Sequence, residues 1–517
     1  MWRSASTIRL IPTAAVAALL AACGGAHAPQ TAPEARVEPA PAFASVAVVD
    51  AGPLAGMHFK HYGVNPTVDT AEEPRSSFAL STDRATWDVT RRHLEQGQLP
   101  DPAVVRIEDF VQAFHEDAAQ GPEGDALFAL HSEAFPSPNR PGYHVLRLAL
   151  RARQAAPVPV RLVAVVDVLA ADGERLALAR DTLRQVFAGL GSQDEVAVIG
   201  SEGQVLLPPH RPGDAEVTAA LAHLASPAAS MDSSLASAYA LAADAAPGKV
   251  RHVIYCGDGR TDRASPAFAA LVAAAEAGSA LGVGLTTVGL GPGRYDDDRL
   301  ARLAQAGGGR YAYVDAGTAA DGLAEQLPTT RAVVAREARA EVTFDPATVV
   351  RYRLLGYERH AERPADSVVA PGGDVPAGQS SGILYEVKLK AGFSHDLGVM
   401  RVRHRPLGGG ALVTFEATIP AASVGASYAA ASGEARLALL VAAFGEKLRG
   451  AWWVRAVGYP DLLQQHDQLP AALRSRPEVA GLRDLLTRAA ALDGRGDPFS
   501  GRAPLVGMDF DNVPIVQ

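Results

Sequence analysis

Between residues 156 and 330, short apolar runs alternate with helical stretches of about 10 to 15 residues, and no other feature of the chain constrains its fold as strongly. The runs are Arg161 to Val168, Glu195 to Ile199, Gln204 to Leu207, Arg251 to Cys256, Leu285 to Leu290 and Arg310 to Val314. Helices are expected from about Glu174, Ala215, Ser233, Pro266 and Asp297. The segment Leu162-Val163-Ala164-Val165-Val166 is continuously apolar, as a strand must be when helices cover both of its faces. The expected fold is therefore α/β, a doubly wound, mostly parallel sheet. One pair of runs, Glu195 to Ile199 and Gln204 to Leu207, is joined by a short Glu202-Gly203 turn and predicts an antiparallel hairpin at the sheet edge.

The 517 residues exceed one ordinary core, and roughly 150 residues per domain suggests three units. Residues 57–155 predict an α+β module with a helix from Arg84 to Gln96, stopped by Gly97. A second helix starts near Pro102, where Val105, Ile107, Phe110, Val111 and Phe114 recur at helical spacing, with Val105 and Ile107 equally compatible with an irregular start. Ala126 to His131 and Tyr143 to Leu150 complete this module as strands. Residues 331–492 predict a β-rich module ending in helices: Ala340 to Phe344 and Ile383 to Leu389 alternate apolar and polar positions, and Val399 to His404 and Leu412 to Ala417 continue the pattern. In its helical end, Glu434 to Arg449 places Leu437, Leu440, Val441, Phe444 and Leu448 on one face, and Pro470 to Ala491 adds further helix. Residues 493–517 form a Gly- and Pro-rich tail.

At the other end, Arg3 and Arg9 precede the apolar run Ala14 to Leu20, which is too short to span a bilayer and ends in Leu20-Ala21-Ala22-Cys23-Gly24. A positive start, a short apolar stretch and small residues predict a signal peptide over 1–22. The cysteine after them resembles a bacterial lipobox, which implies lipid on Cys23. Gly24 is not the Asp that retains enteric lipoproteins in the inner membrane, so the resemblance implies the outer membrane, facing either the periplasm or the exterior. Residues 23–56, rich in Ala and Pro, predict a disordered tether. Cys256 is the only other cysteine, so a lipidated Cys23 leaves no intramolecular disulfide; at a strand end, Cys256 reads as a buried, inert thiol. A net charge of -9 without a long basic run argues against nucleic acid and against attraction to anionic headgroups, leaving the lipid on Cys23 as the expected membrane contact.

Several phrases give the chain a resemblance to bacterial lipoproteins with a von Willebrand factor A (VWA) domain between characteristic N- and C-terminal segments. They include Ser77-Phe78-Ala79-Leu80-Ser81-Thr82-Asp83, Gly97-Gln98-Leu99-Pro100 and Val105-Arg106-Ile107-Glu108-Asp109-Phe110 before the alternating region. Within it stands Gly308-Gly309-Arg310-Tyr311-Ala312-Tyr313-Val314-Asp315, and after it Tyr352-Arg353-Leu354-Leu355-Gly356-Tyr357-Glu358 and Ala442-Ala443-Phe444-Gly445-Glu446-Lys447-Leu448-Arg449. The resemblance implies a ligand site at the carboxyl ends of the parallel strands, where such domains hold a divalent cation. The family pattern needs Asp-x-Ser-x-Ser after the first strand, a Thr in a second loop and an Asp after the fourth strand. This chain keeps Asp167 and Asp258, but Leu169, Ala171 and Met231 stand where the hydroxyl ligands belong. Mg²⁺ demands near-octahedral oxygen, which hydrocarbon cannot supply. The implied site is vestigial, with no cofactor expected. Asp167 and Asp258 are expected to accept hydrogen bonds from loop and helix amides, and one of them to titrate high if the two are close. Ser230, Asp172, Gly257 and Gly259 are the other candidate ligand-face positions. Residual Mg²⁺ binding, with Ser230 or Asp172 shifting in, is the alternative.

The remaining signals favour bland readings. Gly289-Leu290-Gly291-Pro292-Gly293 misplaces the third glycine of a dinucleotide loop, and Pro292 removes an amide. Asp296-Asp297-Asp298 fits capping of a helix start, and Arg495-Gly496-Asp497 fits chance in a chain of this composition. Trp452-Trp453 reads as partly core, with an exposed binding platform as the other option. No H-E-x-x-H is present, nor a G-x-S-x-G elbow with a plausible triad, so no enzyme and no small-molecule substrate is indicated. The expectation is a lipid-anchored envelope protein that binds an envelope or extracellular protein without a metal; metal-dependent adhesion or assembly is the alternative, and an envelope enzyme ranks below both.

Overall fold

Eight consecutive buried residues, Val160–Asp167, form the axis of the central sheet, the strand that the apolar run predicts. The structure is a computed structural model that describes residues 57, 59–80, 83–115, 121–168, 173–200, 202–224, 231–259, 266–291, 295–315, 332–358, 373–407 and 410–496. The expected signal peptide, Cys23, the tether and the tail from Asp497 lie outside the described residues. In chain order the strands are β1 (Val68–Asp69), β2 (Arg75–Ala79), β3 (Phe128–Pro136), β4 (His144–Ala152), β5 (Val160–Asp167), β6 (Glu195–Ile199), β7 (Val205–His210), β8 (Val250–Gly257), β9 (Val283–Leu290), β10 (Gly308–Val314), β11 (Val333–Phe344), β12 (Val349–Leu355), β13 (Gly373–Pro376), β14 (Ser380–Leu389), β15 (Gly398–Arg405) and β16 (Val413–Ile419). The helices used below are α1 (Ala85–Glu95), α2 (Ile107–Ala113), α3 (Gly173–Ala188), α4 (Ala215–Ala222), α5 (Met231–Ala243), α6 (Pro266–Ala280), α7 (Asp297–Ala306) and α8 (Gly433–Leu448).

The central sheet has the order β10-β9-β8-β5-β6-β7, parallel throughout except for the antiparallel β6–β7 pair at its edge. Because side chains alternate along a strand, β5 feeds two cores. Val163 and Val165 pack with Leu235 of α5, Leu271 of α6 and Leu300 of α7. Leu162, Ala164 and Val166 pack with Ala179 and Leu183 of α3 and Leu221 of α4. This is the doubly wound sheet that the sequence predicts.

The flanks differ from the two separate modules expected over 57–155 and 331–492. Their strands interleave: β4 pairs with β14 over eight positions within the sheet β1-β12-β14-β4-β3, and β2 pairs with β11 of the sheet β13-β11-β15-β16. A two-stranded hairpin such as β3–β4 is marginal alone and leaves a free edge, which β14 fills. The alternation over Ile383 to Leu389 therefore does not mark a solvated face. Ile383, Tyr385 and Val387 enter the core between the sheets, while Leu384 enters a helical core with Phe110 of α2 and Phe444 of α8. In that helical core Trp87 meets Phe110 and Phe114 edge-on, with ring centroids 5.1 and 4.7 Å away. The region near Pro102 resolves into a short 3-10 turn, Pro102–Val104, capped by Asp101, before α2 begins at Ile107.

Burial of β14 on both faces takes Glu386 out of water, where an isolated carboxylate is strongly disfavoured. Arg140 Nη1 and Arg353 Nε donate to Glu386 Oε2 at 2.7 and 2.9 Å. Arg353 Nη1 also reaches Glu446 of α8 at 3.2 Å, and Arg449 bridges Glu446 to Glu358, the latter at 2.8 Å. Six alternating charges thus run through the interior. Burial opposes the ionisation of Glu446, but Arg353 and Arg449 hold its carboxyl below the ordinary glutamate range. The Trp453 ring roofs the chain, 4.2 and 5.1 Å from the guanidinium carbons of Arg140 and Arg353, so it packs on buried charge rather than standing as an exposed platform. Beside Glu358, Glu108 is pushed up to about 7 by burial and by the charges of Glu358 and Asp109, and accepts the Tyr357 amide at 2.9 Å.

Arg353→Met strands Glu386 and Glu446 with fewer cations in a dry interior. Urea denaturation should show a loss of about 3–5 kcal/mol, whereas Val205→Ala, at a position 51% exposed, should stay within about 0.5 kcal/mol of the parent.

Candidate functional site

Parallel pairing sets Val165 beside Tyr255 and Asp167 beside Gly257 at the carboxyl end of the central sheet. Tyr255 shares a sheet face with Val165, and its phenol extends along β8 toward the end of β5. It donates to Asp167 Oδ2 at 2.6 Å. Gly257 makes this possible, since a Cβ there would lie 2.5 Å from the Tyr255 hydroxyl. Asp167 is buried, and its other oxygen, Oδ1, has no hydrogen-bond partner among the described residues. Burial pushes its carboxyl up to about 6; the Tyr255 hydrogen bond opposes the shift and the charge of Asp258 adds to it.

Asp258 lies just beyond β8, and its backbone carbonyl accepts from the Asp296 amide at 2.7 Å, which ties this loop to the start of α7. Its carboxylate is partly exposed, with Oδ2 3.9 Å from Nη1 of Arg175 on α3. Gly259 has φ +65°, and a Cβ there would lie 2.9 Å from Leu300 Cγ, so this turn requires glycine for both conformation and space. Of the other expected positions, Leu169, Ala171, Asp172 and Ser230 lie outside the described residues; Met231 opens α5, and its side chain is outside the description.

Asp258 lies near enough for its charge to add to the rise at Asp167, but burial is the larger cause. Among the described residues the side-chain donor to Asp167 is the Tyr255 phenol; the loop amides at 169–172 lie outside them. Sequence reasoning missed Tyr255 and Arg175. The Tyr255 signal was present in strand parity, because a residue two before Gly257 points to the face that Asp167 occupies and glycine leaves it room. Nothing in the sequence aligned α3 with the loop of Asp258.

The aspartate triplet is absorbed by the fold. Asp296 Oδ1 accepts the Arg299 amide at 3.1 Å and caps α7, Asp297 pairs with buried Arg106, and Asp298 accepts from Tyr62. Arg495 pairs with Asp493, while Asp497 of the same tripeptide is outside the described residues.

A Ser–His contact lies elsewhere, with His115 Nε2 2.6 Å from Oγ of Ser380, the centre of Gly378-Gln379-Ser380-Ser381-Gly382, which opens strand β14 instead of a strand-to-helix elbow. Its third member is a cation: Arg147 Nη2 lies 3.4 Å from His115 Nδ1. Arg147 can only donate, so Nδ1 accepts and the ring proton sits on Nε2, pointing at the serine. Such a ring cannot take the hydroxyl proton, and burial, then Arg147 and Arg151, push it down to about 3. The Cys256 thiol is pushed up to about 12 by burial, as an inert packing group is.

The raised Asp167 carboxyl gives a pH prediction with a fixed sign. A buried acid that titrates at about 6 instead of 3.8 leaves stability unaffected below about pH 4 and lowers it progressively as pH rises to about 6 and above. Asp167→Asn removes this titration. Denaturation at pH 3.5 and pH 7.5 should show the variant gaining on the parent by on the order of 2–3 kcal/mol over that interval.

A family model described as von Willebrand factor matches residues 54–147, and another, described as "Uncharacterized protein YfbK, C-terminal", matches residues 329–394. Both matched segments fall on the interleaved flanks. "Uncharacterized protein YfbK" of Escherichia coli (strain K12) is 26% identical over 482 residues, covering 84% of this chain and 82% of that protein. Among solved structures, a von Willebrand factor type A protein from Catenulispora acidiphila is similar at 17% identity, with 72% of this chain and 91% of that one covered and a TM-score of 0.42. The ArnB paralog VWA2 from Sulfolobus acidocaldarius is similar at 13% identity, with 71% and 98% covered and a TM-score of 0.34. Both flanks thus match family models, one described as von Willebrand factor and one as the YfbK C-terminal segment, and the chain is similar to YfbK over most of its length.

Proposed function

We propose that this VWA-domain protein is held by lipid at the bacterial cell envelope and binds another envelope or extracellular protein without a metal ion. The observation that carries the reading is the set of partners around the two aspartates. Mg²⁺ needs about six oxygens at roughly 2.0–2.1 Å. Asp167 Oδ1 is an orphaned buried oxygen that a cation could use, but Oδ2 already accepts from Tyr255, and the neighbouring carboxylate faces the Arg175 guanidinium. A fixed positive charge beside Asp258 disfavours a second cation there, and Leu169 and Ala171 supply only hydrocarbon in the loop after β5. These residues do not fit the ion. Recognition then rests on the shape and polarity of the loop surface.

Binding rather than catalysis also suits the rest of the chemistry, since the His115–Ser380 contact carries its proton on the wrong nitrogen for a base and Cys256 is buried as a thiol. The envelope location rests on Cys23 with its preceding apolar run, and Gly24 favours the outer membrane by the same resemblance.

Two measurements test the reading. The melting temperature should be the same in magnesium, manganese or chelator; an ion present at a hundred times its Kd would add about 2.7 kcal/mol, and a gain of that size lost in Asp167→Ala would overturn metal independence. Incorporation of labelled palmitate should be abolished by Cys23→Ser, and labelling that persists in the variant would remove the anchor.

A further inference from the structure

The outer strand of a sheet offers unpaired N–H and C=O groups to any strand that can lie beside it, and the outer strands of this protein differ in how they are protected. β7 carries Pro208-Pro209, which cannot donate, and β13 is four residues long and ends on Pro376. On β3 the Ala134 carbonyl accepts from the Gly425 amide, and on β10 the Tyr311 amide donates to Asp83 Oδ1. β16 has none of these devices among the described residues. It runs for seven residues without proline or lysine, and β15 is its one strand partner there.

The side chains of β16 divide between two faces. On the inner face Phe415 and Ala417 are half-buried and Ile419 is buried, with the Phe415 and Phe128 ring centroids 5.6 Å apart. Val413 belongs to the same face but is 43% exposed. Thr414, Glu416 and Thr418 are exposed on the outer face. There Arg401 Nε donates to Glu416 Oε2 at 2.7 Å. Arg403, the cross-strand neighbour of Thr414, is exposed, and its side chain has no ion pair or hydrogen bond among the described residues.

We propose that β16 is a self-association edge, pairing antiparallel with β16 of a second copy of this chain so that Phe415 lies opposite its own counterpart. A two-fold antiparallel pair must set one residue opposite its own copy, because only then does each residue meet one whose amide and carbonyl point the same way. Charge selects which residue that is. Centring on Glu416 sets two like carboxylates directly opposite one another. Centring on Thr414 leaves Arg403 with only another Arg403 along its row, and centring on Ala417 sets Pro420, which cannot donate, opposite Thr414. Centring on Phe415 puts Thr414 opposite Glu416 of the partner subunit, so Arg403, Thr414 and that glutamate form one row. Neighbouring strands lie about 4.8 Å apart, so the two charged residues stand roughly 10 Å apart at the backbone, a span their extended side chains close together. Symmetry repeats the contact, and both unmatched arginines gain a carboxylate. On the inner face Phe415 meets Phe415 and Val413 covers Ala417, which takes the exposed valine out of water. A seven-residue edge is small for an interface and each copy carries a net charge of -9, so the dimer is weak and reversible.

The test uses the chain from Gly24 onward, which keeps every described residue and carries neither the apolar leader nor an acyl group. Sedimentation over a range of concentrations should show a reversible monomer–dimer equilibrium, and amide hydrogen exchange across residues 411–420 should slow as the dimer fills. Arg403→Glu meets Glu416 of the partner subunit with a like charge, and Glu416→Arg meets Arg403 in the same way. Each variant should dimerise about tenfold more weakly, since two exposed contacts change from attraction to repulsion, and should melt with the parent because both positions are exposed. Mixing the two variants restores opposite charges at both contacts and should give a heterodimer about tenfold tighter than either homodimer. A monomer at every concentration, a dimer that leaves exchange across 411–420 unchanged, or a mixture no tighter than its components overturns the proposal. Exchange across 411–420 that is slow at every concentration also overturns it and assigns the edge to another segment of the same chain. Palmitate labelling reads the anchor separately, so neither result decides the other.

Discussion

Glu386 sits on a strand covered on both faces, and the architecture of the flanks depends on its charge being matched. Arg140 and Arg353 reach it from different sides, and the same Arg353 engages Glu446 of α8. A buried ion pair often contributes no more net stability than apolar residues of the same volume would. What it contributes here is selection among registers. A slip of one residue along β14 would send Glu386 to the face of Tyr385, into the core with Phe344 and Tyr352, while Tyr385 would face the arginines. A one-residue slip would thus part Glu386 from both Arg140 and Arg353. The six charges come from chain positions on both sides of the central sheet, so the match also fixes which flank strand joins which.

The central sheet was legible because its signal is local. An apolar run flanked by helical stretches states its own burial, and the antiparallel β6–β7 hairpin followed from a two-residue turn. The flanks were legible as elements but not as an assembly. Alternation over Ile383 to Leu389 shows that two faces differ without showing what covers the second one; here helices α2 and α8 do, and glutamate becomes interior. Periodicity likewise cannot report that β14 takes β4 as its neighbour, because that pairing spans more than two hundred residues. The phrases that carried the resemblance fared better, since Arg353, Glu358, Glu446 and Arg449 all lie within them and turn out to be the buried charges.

The same limit explains the candidate site. Asp167 and Asp258 could be placed by the resemblance, which sets them at the ends of two strands. Tyr255 required the register of β8 against β5, which puts Asp167 level with Gly257 and so within reach of a phenol two residues earlier. Arg175 required the position of α3 over the sheet edge, a packing outcome with no local marker. Substitution of a hydroxyl-rich loop by Leu169 and Ala171 reads as loss in the sequence. The structure adds a gain, because a hydrogen-bond donor and a cation now sit beside the carboxylates.

The loop of Asp258 is also bound to the frame that the flanks build. Its carbonyl accepts from Asp296, the next residue pairs with Arg106 ahead of α2, and the one after accepts from Tyr62. Three consecutive aspartates therefore join the edge of the central sheet, the first turn of α7 and the N-terminal flank. A helix start prefers acids for its dipole alone, yet Asp297 is fully buried and its partner arginine comes from the flank, so capping does not account for all three. The chain enters the central sheet from β4 and leaves it into β11, both flank strands. A contact made at the Asp258 loop is thus borne by residues tied to α7 and the N-terminal flank, and the stability of those ties sets how firmly that surface is presented.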